Sequence, residues 1–433
     1  MNSEVNQNVT PETTGRFIVT FREGAHKDAL SVLADSTGVA ESKMLKSDDF
    51  GASGLDVERV PADGGAVLDT LGIAVVNIDP SAAGSLAMTA GEDSAILAVE
   101  PEGVMYALGE PSPMSLDYLR GFRDAAQSLY ASASEGPAGE DLLDVEAAFV
   151  DTATLTWGLQ ATKVATSRYS GQGINVAVLD TGFFLTHPDF VGRQIEPTSF
   201  IAGVGSANDG HGHGTHCIGT ACGPLHPALG PRYGIAHKAT IFVGKVLTDQ
   251  GRGVDGDVLA GIDWAVRNKC HVISMSLGAN VATTSVAYET AGQRALDAGC
   301  MIVAAAGNNA QRSAGQFSFV SRPANSRSFM AVGALDSGLR IADFSARDTV
   351  RQPGTAVDIA GPGVAVYSSW SMPTRYRTIS GTSMATPHVA GIAALWAQAS
   401  GARGAALWQR LIANTRGLSL PTSDVGWGLT QAP

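Results

Sequence analysis

The sequence predicts an α/β protein built on a doubly wound, mainly parallel sheet, preceded by a small α+β domain. Two observations predict it. From about Thr152 onward, near-continuous runs of β-branched and small apolar residues alternate with helical stretches, as strands buried on both faces require. Before that, residues 16–107 hold strand and helix patterns that suit a sandwich of about one hundred residues. The chain thus divides into a polar segment 1–15, expected to be disordered, an α+β domain 16–107, an acidic linker 108–151 and a large domain 152–433.

In the smaller domain RFIVTF (16–21) reads as a strand and KDALSVLADSTG (27–38) as a helix stopped by Gly38. AVVNID (74–79) reads as a strand, PSAAGSLAMTAG (80–91) as a helix opened by Asp79 and Pro80, and AILAVEPEGVMYAL (95–108) as a closing strand or hairpin. The Gly-rich, charged stretch 41–70 carries no clear pattern. In the linker Leu119, Phe122, Ala126 and Tyr130 fall at helical spacing after Ser115, which predicts an amphipathic helix among prolines and acidic residues. In the large domain the predicted strands are 174–180, 239–247, 271–278, 301–308, 328–336 and 356–361, with helices over 254–269 and 285–299. Such an alternation places a site at the carboxyl ends of the strands.

Composition narrows the function. The 433 residues carry 29 Lys plus Arg against 41 Asp plus Glu, a formal charge of −12, with no basic run. Nucleic acid and anionic membranes are therefore not expected partners. The N-terminus lacks a basic start followed by an apolar stretch, and no segment is long and apolar enough to span a bilayer, so a cytoplasmic location is expected. Cys217, Cys222, Cys270 and Cys300 are too few for a disulfide framework and read as buried thiols.

The chemistry lies in three places. Asp180 closes the buried run INVAVL, where a lone charge is costly without a partner. His213 lies in HGHGTHCIGT (211–220), where glycines hand over to a helix. Ser383 lies in SGTSMATPHVAG (380–391), at the start of an apolar helix whose dipole favours developing negative charge. A serine nucleophile needs a base within reach, itself held by a third group. The order Asp, His, Ser is neither that of the α/β-hydrolases nor that of the chymotrypsin type.

These three segments resemble the active-site signatures of the subtilisin-like, or subtilase, serine peptidases. The likeness runs on through VLTDQGRGVDGDVLAGIDWA (246–265), MSLG (275–278), VAAAGNN (303–309), PANSRSFMAVGALD (323–336) and VGWGLTQA (425–432). The resemblance implies a serine endopeptidase in which Ser383 attacks, His213 is the base and Asp180 orients it. It implies that Asn308 supplies an oxyanion donor. Ser276, Leu277 and Gly278, with Gly251, Arg252 and Gly253, would then flank an extended peptide, and Ser321 would lie at the floor of the main specificity pocket beside an unexpected Arg322. Cys217 resembles the proteinase K branch, packing beneath the histidine, and His187, His216 and His388 take packing or hydrogen-bonding roles.

No cofactor is implied for the chemistry. Asp189 matches a structural calcium ligand of many subtilases, but GPLHPALGPRYG (223–234) lacks the partner oxygens, so that site is expected to be absent or altered. Residues 16–107 resemble the family's inhibitory propeptide, which makes the chain's own N-terminal region an intramolecular inhibitor beside peptide or protein substrates. An ordinary accessory domain is the alternative for 16–107. For the whole chain the alternatives are a dedicated peptide-maturation protease or ligase, and a non-catalytic binding protein on the same scaffold.

Overall fold

The computed structural model describes residues 12–51, 54–55, 57, 60–61, 64–108, 148–347 and 356–433. Most of 1–15 and the predicted linker helix lie outside these residues. In the smaller domain the strands are β1 (Thr13–Phe21), β2 (Met44–Lys46), β3 (Gly65–Leu68), β4 (Ile73–Val76) and β5 (Ile96–Ala107), and the helices are α1 (His26–Thr37) and α2 (Pro80–Thr89). Gly38 ends α1 in the left-handed conformation at φ 73°, and Asp79 caps α2 by accepting from Ser81 N. β4 is shorter than the predicted run 74–79, because Asn77–Asp79 turn into α2. The predicted closing strand or hairpin over 95–108 is the single long strand β5, Ile96–Ala107. The unassigned stretch 41–70 supplies β2 and β3, which extend the sheet beyond β4. One face of this sheet carries Val19, Phe21, Val67 and Val76 against Leu30, Leu33 and Leu86 of the helices.

The large domain carries β6 (Asn175–Asp180), β7 (Ile195–Ser199), β8 (Thr240–Lys245), β9 (Arg252–Val254), β10 (Val272–Met275), β11 (Leu277–Gly278), β12 (Met301–Ala305), β13 (Met330–Leu335) and β14 (Ile359–Pro362). Seven of these form one sheet in the order β14-β13-β12-β10-β6-β8-β7, every pairing parallel. The main helices are α3 (His213–Cys222), α4 (Asp255–Arg267), α5 (Val286–Asp297) and α6 (Thr382–Ser400). Along β6, Val176 and Val178 join the core beneath α3 and α6, while Ala177 and Leu179 join the core beneath α4 and α5. Both faces are buried, which is why the strand sequences show no polar alternation. β7 carries Pro197, tolerated because this strand is the edge of the sheet. A hairpin of β15 (Val366–Ser369) and β16 (Tyr376–Ile379) precedes α6.

The two domains meet along α4 and α5. Ile18, Leu68 and Met105 enter the core that contains Val258, Leu259, Ala287 and Ala291. Beyond its pairing with β1, β5 leaves the small sheet: Val104, Met105 and Tyr106 pair antiparallel with Val254, Gly253 and Arg252, and Tyr106 and Ala107 pair with Gly278 and Leu277. The end of the small domain is thereby a strand laid between β9 and β11.

Candidate active site

Asp180 ends β6, and β6 and β10 are neighbours where the chain's progress through the sheet reverses direction, the place a doubly wound sheet offers for a site. One Asp180 oxygen, Oδ1, accepts from Thr181 N at 2.7 Å and stands 2.7 Å from His213 Nδ1. Both side chains are buried. His213 opens α3. Gly212 before it has φ +106°, and a Cβ there would lie 2.2 Å from the Trp370 indole, so only glycine allows this entry. Burial opposes a charge on His213, but the Asp180 carboxylate overrides it and holds the imidazole pKa well above the usual value.

Ser383 lies in the first turn of α6. Its hydroxyl is 2.6 Å from Leu108 O and 3.1 Å from Ser276 O, and His213 Nε2 is buried with no hydrogen-bond partner among the described residues. Asn308 Nδ2 donates to the same Leu108 carbonyl at 2.9 Å. Its Oδ1 accepts from both Thr382 N and Thr382 Oγ1 at 2.9 Å, which fixes the amide with its nitrogen toward Leu108. The Leu108 carbonyl therefore lies between a serine hydroxyl and an aimed amide.

The predicted substrate segments surround residues 104–108. Ala107 N donates to Gly251 O at 2.8 Å and Leu108 N to Ser276 O at 3.2 Å, while Arg252, Gly253, Leu277 and Gly278 supply the ladder positions given above. A Cβ on Gly278 would stand 2.6 Å from the Arg322 carbonyl oxygen and 3.2 Å from Leu108 Cδ1, so the close approach of the Arg322 backbone requires glycine here. Ser321 is buried, its hydroxyl 3.3 Å from both Asn309 Nδ2 and Asn280 Oδ1. Arg322 Nη2 donates to Thr283 O at 3.0 Å, while its buried Nε has no hydrogen-bond partner among the described residues.

Sequence reasoning missed two supports of this geometry. Thr382, which sets the Asn308 amide, stands unremarked beside Ser383. Asp209 is buried and accepts from Thr181 Oγ1, His211 N and Gly212 N on one oxygen and from Thr215 N and Oγ1 on the other. It ties the end of β6 to the start of α3. A carboxylate just before a glycine-flanked helix start was the available signal.

Cys217 Sγ lies 3.9 Å from His213 Nδ1 and 3.6 Å from Ser383 O, and burial raises its thiol pKa, so it stays protonated. All four cysteines are buried and free. His187, His216 and His388 each bond a backbone carbonyl, of Arg375, Val366 and Met384 respectively. Asp189 has its carboxylate filled by protein donors: Ala228 N at 3.0 Å, Tyr376 Oη at 3.0 Å and Tyr233 Oη at 2.6 Å, with Arg375 3.9 Å away. Both Asp189 oxygens are thus already engaged by protein donors.

A model of the subtilase family (peptidase S8) matches residues 171–428. Subtilisin DY of Bacillus licheniformis is 38% identical over 237 residues, 55% of this chain and 81% of that protein. Subtilisin BL of Lederbergia lenta is 40% identical over 245 residues, 56% of this chain and 84% of that protein, and subtilisin Savinase of the same organism is 41% identical over the same shares. On these matches and the parallel seven-stranded fold beneath them, the chain belongs to the subtilase family and is a serine-type endopeptidase.

Proposed function

We propose that Ser383, His213 and Asp180 form the catalytic triad, with Asn308 as the oxyanion donor, and that the first substrate is the chain's own N-terminal domain. The observation that carries this reading is the Leu108 carbonyl, 2.6 Å from Ser383 Oγ and 2.9 Å from Asn308 Nδ2. Attack by Oγ on this carbonyl carbon breaks the Leu108–Gly109 bond. The serine proton passes to His213 Nε2, the buried nitrogen without a partner, and then to the leaving amine of Gly109. Charge developing on the Leu108 oxygen meets the Asn308 amide. Water, giving its proton to His213, then hydrolyses the Leu108–Ser383 ester, which restores the Ser383 hydroxyl and leaves a Leu108 carboxylate. Residues 104–108 remain between β9 and β11 as a product strand, so the freed domain inhibits until it dissociates. On this reading Leu108 belongs with the inhibitory strand and the linker begins at Gly109.

The test is intact-mass measurement over time, with labelling by a serine-directed fluorophosphonate. The wild-type chain is expected to yield a fragment ending at Leu108 and to take the label. Ser383→Ala stays full length and unlabelled. A Ser383→Ala chain that still splits after Leu108 overturns the assignment.

A further inference from the structure

We infer that Arg252 selects the third side chain on the N-terminal side of the scissile bond, favouring a carboxylate. The inference rests on the cleft register proposed above, in which Leu108 precedes the broken bond. Tyr106 is then the third residue, and it is the direct cross-strand partner of Arg252. Directly opposed residues of an antiparallel pair place their side chains on the same face, with Cβ atoms about 4.5–5.5 Å apart. Whatever stands at this position of a substrate therefore faces the Arg252 guanidinium.

The chain itself already brings a carboxylate there. Glu12 forms an ion pair with Arg252 Nη2 and accepts from Tyr106 Oη at 2.7 Å. Its backbone carbonyl accepts from Val104 N at 3.1 Å, so Glu12 lies beside the product strand. The third residue of this self-substrate is a tyrosine, and the anion is delivered from the side. A glutamate at the same position would deliver it directly. Arg252 is the one charged residue in β9 and β11, and its side chain is half exposed in the presence of Glu12. Glu12 and Tyr106 lie on the same N-terminal fragment, so both depart together and leave the guanidinium facing the cleft. The neighbouring Asp249 pairs through Oδ1 with Lys245 Nζ at 2.6 Å and Gly210 N at 3.1 Å.

The experiment compares three peptides, identical except for Glu, Gln or Lys before Ala-Leu-Gly, cut by enzyme prepared from the full chain. At low salt kcat/KM is expected to fall in the order Glu, Gln, Lys, with Glu over Lys by about five- to twentyfold, the scale of a solvent-exposed charge pair gained against one opposed. One molar salt brings the ratio within about twofold, since screening removes an exposed interaction. Within Arg252→Ser the ratio collapses, and within Arg252→Glu it inverts, whatever the absolute rates. Cleavage after Leu with a flat Glu-to-Lys ratio in the wild type, or a ratio unchanged in both variants, overturns the role of Arg252. Failure to cut any of the three peptides after Leu overturns instead the register on which it rests.

Discussion

In the proposed reading, Asn308 shows how little freedom an oxyanion donor needs to keep. Its oxygen is held twice by Thr382, so its nitrogen is aimed before any charge develops, and no reorganisation is needed during the reaction. Asn308→Ala is expected to lower kcat by about 10²–10³ with KM little changed, the magnitude found when the corresponding asparagine of subtilisin is removed. Steady-state kinetics on a short peptide check it, and an equal loss in KM would make the residue a binding contact instead. His213 gives a pH prediction. Its pKa is raised well above 6.5 by Asp180 against the opposing effect of burial, and in the proposed triad only the neutral ring can accept the serine proton. Activity therefore rises with pH and is lost as pH falls through this raised value. Because the cleft described here is filled, the kcat profile is the one that reports it. Its acid limb is expected above pH 6.5 in the wild type, and Asp180→Asn moves it downward while slowing turnover. An acid limb that ignores the Asp180 substitution removes the carboxylate from this role.

At the scale of elements, the helices that carry the domain boundary begin against carboxylates of β5. Glu100 accepts from Ala287 N at 2.9 Å and Ser285 Oγ at 3.1 Å at the start of α5, and buried Glu102 accepts from Gly256 N at 3.0 Å at the start of α4. Both meet the positive end of a helix dipole, where a carboxylate also satisfies donors that lack a partner within the helix. Both carboxylates reach across the interface, and Glu102 also pairs with Arg16 within its own domain. Glu100→Ala is accordingly expected to weaken retention of the cleaved N-terminal domain by about three- to thirtyfold, the range of a lost helix cap. An inhibition titration measures it, and an unchanged inhibition constant removes the cap from the interface energetics. Elements were legible where their pattern is local: the buried parallel strands and the capped helices α1 and α2 read directly from residues 16–38, 79–91 and 174–361. Strands β2, β3 and β7 were not, because short or edge strands are specified by the neighbours they pair with.

For the whole molecule, the sequence by itself determined the α/β class, the family signatures and the residue types of the site. Buried strands must be apolar throughout, and a serine nucleophile needs a base within hydrogen-bond reach. The order of Asp180, His213 and Ser383 along the chain carries that information without any coordinates. Only the tertiary structure decided what those residues meet. That Leu108 presents its carbonyl to Ser383, that Thr382 sets the Asn308 amide, and that Tyr233 and Tyr376 fill the Asp189 carboxylate are all contacts between segments far apart in the chain. The separations run from 44 residues for Tyr233 and Asp189 to 275 for Ser383 and Leu108. No local periodicity encodes such pairings, because they exist only once the central sheet has fixed where each strand ends and the two domains have closed on α4 and α5.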